Sequence, residues 1–181
     1  MKPTPAELWD RIDTWLAAHA PRIAGELRPG ATAAEVSAAA EQLGVELPSA
    51  LRETFLQHNG ALGNDLFPAL EAREMANSLH SLEEMTGFRL WDEPSEDQYV
   101  FSEDGIQPKF GLPQWIPFAG NGGGDYHCVD LAPAEGGTVG QVIQWTHDTC
   151  ERRLVAASVD DYLRDLADGL EAGRFAYDED D

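Results

Sequence analysis

Six residues in the second half of the chain have side chains that could do chemistry: Asp125, His127, Asp130, His147, Asp148 and Cys150. Carboxylates with imidazoles could hold a metal ion or move a proton. A thiol near an imidazole could be an activated nucleophile, and Arg152 and Arg153 could lower its pKa. Spacing argues against each use. On a strand, 125, 127 and 129 share one face while 126, 128 and 130 share the other. Asp130 therefore points away from Asp125 and His127. The intervals match neither a zinc site nor a calcium loop. Nothing nearby supplies a recognisable oxyanion hole. A buried Cys128 and a partly exposed Cys150 are expected, with no catalytic residue, no metal and no cofactor.

What positions Asp125 is the run Gly120-Asn-Gly-Gly-Gly-Asp125. An apolar segment from Trp115 precedes it, and a segment that alternates from Asp125 to Leu131 follows. The run thus sits between two strands, without the Lys-Ser/Thr of a phosphate loop or the helix of a dinucleotide fold. It reads as a tight turn that sets strand register. Gly123 is expected to serve that turn, and Trp115, Pro117 and Asp130 to serve the framework around it.

The flanking elements are legible from caps and periodicity. Thr4-Pro5-Ala6-Glu7 is a capping box that opens a helix, with Leu8, Ile12, Trp15 and Leu16 on one face and Pro21 ending it. Thr32 to Glu35 is a second capping box, for a helix that Gly44 stops. Pro48-Ser49 opens a third, with Leu51, Phe55 and Leu56 as its buried stripe and Asn59-Gly60 closing it. A short strand is expected over 66–70 and a helix over 71–85. Tyr99-Val-Phe101 reads as a strand. Strands flank the glycine turn, and another runs from Val139 to Trp145, so 115–145 forms an antiparallel meander. Ser158 caps a last helix that turns Tyr162, Leu163, Leu166 and Leu170 inward. Helices, then a meander, then a helix predict an α+β domain over 1–177, with helix 5–19 as an extension and 178–181 as an acidic tail.

Charge is the dominant bulk property. The 181 residues hold 33 acids against 12 Lys and Arg, a formal net of -21. Such a surface repels nucleic acid and anionic membranes and speeds association with a basic partner, although acidity also serves solubility. No apolar run is long enough to span a membrane, and the N-terminus lacks a secretion-signal pattern, so a cytoplasmic location is expected. Two cysteines do not make a disulfide framework.

The ordered set of segments resembles a known family. Gly30-Ala-Thr32-Ala-Ala-Glu35, Glu41-Gln-Leu-Gly44-Val-Glu-Leu-Pro48-Ser-Ala-Leu51 and Phe55-Leu56-Gln-His-Asn59-Gly60 are similar to the opening of the Smi/Knr cell-wall-assembly-regulator family of the SUKH superfamily. Trp115-Ile-Pro117, the glycine turn with Asp125, Asp130, His147-Asp148 and Ala157 to Leu163 continue the resemblance to about residue 170. It implies a mixed sheet with helices packed around it and no known catalytic chemistry. Bacterial members of the family are immunity proteins that bind toxins, often nucleases; fungal members are regulatory binding proteins.

Resemblance and charge together predict a protein-binding domain, first as an immunity protein for a basic toxin domain and alternatively as a regulator or scaffold in cell-wall assembly or signalling. The expected contact surface is the acidic loop with Trp91, Asp92, Glu93, Glu96, Asp97, Glu103 and Asp104, the turn with Asn121 and Asp125, and His147-Asp148. Trp91 in its acidic setting has the composition of a hot spot, and equally of an aromatic that anchors a loop.

Overall fold

The helices begin where side chains can satisfy their first N–H groups. In the computed structural model, which describes residues 2–62, 78–87 and 99–175, Thr4 and Thr32 both form full capping boxes. The Glu7 N–H donates to Thr4 Oγ1 at 3.2 Å and the Thr4 N–H to Glu7 Oε2 at 2.7 Å. Helix α1 (Pro5–His19) buries Leu8, Trp9, Ile12 and Leu16 completely. Its buried residues join the main core cluster. Trp15 is half-buried and stacks on His19. Pro21 does more than end α1: it takes the first position of a short helix, α2 (Pro21–Glu26), which periodicity did not reveal because it is only six residues long.

Helix α3 (Ala33–Leu43) stops at Gly44, which takes left-handed φ of 69°. Pro48 then leads into α4 (Ser49–Gln57). This helix buries Ala50, Leu51, Thr54 and Phe55; Leu56, expected in the buried stripe, is 44% exposed. The true inward face follows the 3–4 spacing through Thr54, whose hydroxyl accepts the Trp9 indole N–H at 3.2 Å. After α4 the Asn59 side chain accepts the Leu82 N–H at 2.8 Å. Gly60, at φ 93°, sits so close to Ser81 that a Cβ would come within 2.8 Å of its nitrogen.

The strand expected over 66–70 lies outside the described residues, as does the first part of the helix expected over 71–85. The rest of that helix is a correction. Ser78–Leu79 is a strand, β1, and only Leu82–Gly87 (α5) is helical. Ser81 separates them by capping α5, its hydroxyl accepting the Glu84 N–H at 3.2 Å. The Tyr99–Phe101 strand is likewise displaced: β2 is Phe101–Ser102.

Four longer strands form the middle of the sheet: β3 (Trp115–Gly120), β4 (Tyr126–Asp130), β5 (Gln141–Trp145) and β6 (Glu151–Ala156). The expected start of β5 at Val139 is instead an exposed loop position. β6 was not anticipated. The order is β1-β3-β4-β5-β6-β2, antiparallel throughout except for the parallel pair β2–β6. The fold is thus α+β with a mixed, mainly antiparallel sheet. Pro117 is tolerated in β3 because the register shifts between Pro117 and Ala119, where a bulge relieves the missing N–H.

Both faces of this sheet are covered. Ile116, Phe118, Val129 and Val142 pack against α1, α3, α4 and the last helix, α6 (Val159–Glu171). Trp115, Cys128, Ile143 and Trp145 form a second cluster with Ile106 on the opposite face. Although the segment alternates in sequence, in β4 every residue from His127 to Asp130 is buried. A sheet covered on both sides loses its inside–outside alternation.

Candidate functional site

The two loops at one end of the sheet bring four of the singled-out residues together. The β3–β4 turn is organised by Asn121, whose Oδ1 accepts the N–H groups of Gly123 at 2.8 Å and Asp125 at 3.1 Å. Its Nδ2 donates to Asp125 Oδ2 at 3.1 Å. Gly122 and Gly124 supply the left-handed conformations, at φ 70° and 105°; Gly123 does not. Asp125 is thereby fixed at the mouth of β4.

The β5–β6 loop, 146–150, meets it. Asp125 Oδ1 accepts the backbone N–H of His147 at 3.0 Å and faces its Nδ1 at 2.9 Å. The other ring nitrogen lies 2.8 Å from Asp148 Oδ1. Gly124 presses on the imidazole so closely that a Cβ would lie 3.0 Å from Nδ1. The hydrogen bond to Asp125 is the main reason the His147 pKa rises above its usual value, helped by the two negative charges. With both nitrogens engaged, His147 has none left to move a proton to a substrate. Chemically this is an imidazole ring that clasps two loops.

The remaining candidates lie elsewhere. His127 is buried under α6, with Nδ1 2.9 Å from the Tyr162 hydroxyl, and burial pulls its pKa down to about 4. Cys128 is sealed in the second cluster, and burial pushes its thiol pKa up. Cys150, expected to be partly exposed, is buried at φ 53°, its thiol donating to the His147 carbonyl at 3.6 Å. Asp125, His127 and Cys150 therefore do not face a common centre. Asp130 is fully buried at the far end of β4, accepting the Ala132 N–H at 2.9 Å and the Gln141 amide at 3.0 Å; burial raises its pKa. Among the described residues, no three His, Cys, Asp or Glu side chains are arranged to hold a metal ion.

Trp91, Asp92, Glu93, Glu96 and Asp97 lie outside the described residues. Glu103 and Asp104 follow β2 and are exposed. Glu103 also braces the sheet, because its carboxylate accepts the Leu154 N–H at 2.7 Å and so ties the end of β2 to β6.

Sequence reasoning named Arg152 only as a neighbour of Cys150 and missed its burial. This completely buried guanidinium donates to the carbonyls of Thr146 at 3.0 Å, Glu151 at 2.7 Å and Phe110 at 2.6 Å. It lies 4.8 Å from the Trp145 ring centroid, with Phe110 and Trp115 within 6 Å. Burial pulls its pKa down to about 10. Aromatic faces and carbonyl oxygens replace a carboxylate in compensating the charge. The strand pattern Glu151-Arg-Arg-Leu-Val-Ala156 was the available signal, since one of two adjacent arginines on a strand must face inward.

The model of the SMI1 / KNR4 family (SUKH-1) matches residues 30–165. The chain is 29% identical over its whole length to the cell wall biosynthesis/cell cycle regulator smi1 of Schizosaccharomyces pombe. Over 92% of its length it is 25% identical to the cell wall assembly regulator SMI1 of Saccharomyces cerevisiae. A glucan synthesis regulatory protein of Neurospora crassa is 26% identical over 97% of the chain. The chain spans only 39%, 40% and 40% of these three relatives.

Proposed function

The chain belongs to the SMI1/KNR4 family (SUKH-1), and from that membership we propose that it is a non-enzymatic, protein-binding regulatory domain acting in cell-wall or envelope assembly. The observation that carries this reading is the match of essentially the whole chain to relatives named as regulators of cell wall and glucan synthesis. The site geometry supports it. Both His147 nitrogens are engaged by carboxylates, and the thiols are buried. The test is genetic. Deleting the gene in its host should sensitise cells to wall-perturbing agents, and the 181-residue chain should restore resistance. Unchanged wall composition and sensitivity after deletion would overturn the proposal.

A second reading, immunity against a basic toxin domain, draws on the net charge of -21. The relatives' names do not support it. Co-expression with a toxin encoded beside the gene separates the two, because only an immunity protein restores growth.

A further inference from the structure

The short strand β2 closes one side of the sheet, and among the described residues nothing pairs with its outer side. We propose that this edge docks an extended, basic and apolar segment of a partner protein by strand addition. The proposal rests on the protein-binding reading above and names where the partner sits.

Backbone geometry is the first support. The Phe101 N–H donates to the Cys150 carbonyl at 3.0 Å and the Glu103 N–H to the Arg152 carbonyl at 2.9 Å. By the two-residue alternation of a strand, the main-chain groups of Ser102 face away from β6. An added strand finds its partners there.

Side chains are the second support. Tyr99 is 85% exposed and Phe101 65% exposed. Natural edges are usually blunted with lysine, proline or inward charge. The stretch 99–104, Tyr-Val-Phe-Ser-Glu-Asp, has neither lysine nor proline and instead shows two aromatic rings to water. Exposed aromatics beside open main-chain groups are what an anchor for a strand requires.

Charge selects the occupant. Glu103 and Asp104 follow the aromatics, and Glu151 is registered opposite Phe101. The bond from Phe101 to Cys150 sets the edge beside the loop that carries Asp148, whose side chain is 81% exposed. The local basic groups are already engaged: Arg153 pairs with Glu151 at 2.9 Å, Arg152 is buried, and His147 lies between Asp125 and Asp148. A second copy, itself at -21, would be repelled. A segment alternating basic and apolar residues sets its apolar face on the rings and its main chain on the open backbone, while the acidic surround attracts its charge.

The test titrates the isotope-labelled 181-residue chain with a blocked peptide alternating Lys and Val, followed by amide NMR shifts. The control peptide carries the same charge with proline in place of valine, so it cannot form a strand. The expected result is shifts confined to 99–104 and 151–154, with the control at least tenfold weaker. Val100→Pro should weaken binding about tenfold, equivalent to about 1.4 kcal/mol. Tyr99→Ser with Phe101→Ser, which leaves the backbone intact, should weaken it several-fold. Equal binding of both peptides, shifts spread over the whole acidic surface, or self-association through 99–104 would overturn the proposal. If the peptide ignores the edge while the chain still captures a protein partner, the docking site is wrong and the binding function stands. Docking at the edge by a chain that retains no protein overturns the function instead.

Discussion

At the scale of single residues, the two histidines at the top of the sheet titrate with opposite consequences. His147 has a raised pKa in the folded chain, chiefly through its bond to Asp125. Folding then binds a proton more tightly, so this contribution is fully present below the unfolded value near 6.5 and is lost as pH rises through the folded value. His127 is the reverse. Its folded pKa of about 4 lies below 6.5, so the unfolded chain takes up the proton first. Stability is lost as pH falls from about 6.5 towards 4 and levels off beyond. Urea titrations across pH should show the acid-side loss shrink in His127→Gln and the alkaline-side loss shrink in His147→Asn. Gly124 makes the sharper steric prediction. At φ 105° and with the His147 ring against it, Gly124→Val should lose roughly 1–3 kcal/mol in the same assay. Gly123→Ala should lose much less, because Gly123 does not take a left-handed φ.

At the scale of elements, what was legible in the sequence is what local chemistry determines. The capping boxes at Thr4 and Thr32, the left-handed stop at Gly44 and the cap at Ser158 each depend on residues within one turn, and each helix starts where its cap says. The strands beside the glycine turn were legible for the same reason. What failed depends on distant partners. β1 and β2 are each two residues long and exist only because β3 and β6 lie alongside. β6 alternates poorly because Arg152 points inward while Leu154 stays exposed. Of the candidate site, the meeting of Asp125 with His147-Asp148 involves two loops separated by two strands; the residue types were evident but not their geometry. Arg152 joins β6 to the loop at Phe110 through a planar fork that lysine cannot reproduce. Arg152→Lys should therefore destabilise the fold by about 1–3 kcal/mol, read from the urea midpoint at constant slope.

For the molecule as a whole, charge is the property that bears on association. A surface at -21 attracts cationic partners over about a Debye length, roughly 10 Å at 0.1 M salt. Association with a basic partner should slow steeply as salt rises, with most of the change in the on-rate. An on-rate indifferent to salt would remove steering from the account. The chain covers about two-fifths of the regulators it matches, so the regulatory activity of the longer relatives is a property to be sought here by its partners. The most direct measurement is affinity capture with the 181-residue chain as bait from its host, compared at low and high salt and quantified by mass spectrometry. The account predicts a protein retained in near-stoichiometric amount, belonging to wall or envelope assembly and released as salt rises. Retention of nothing above an unrelated acidic bait would contradict it.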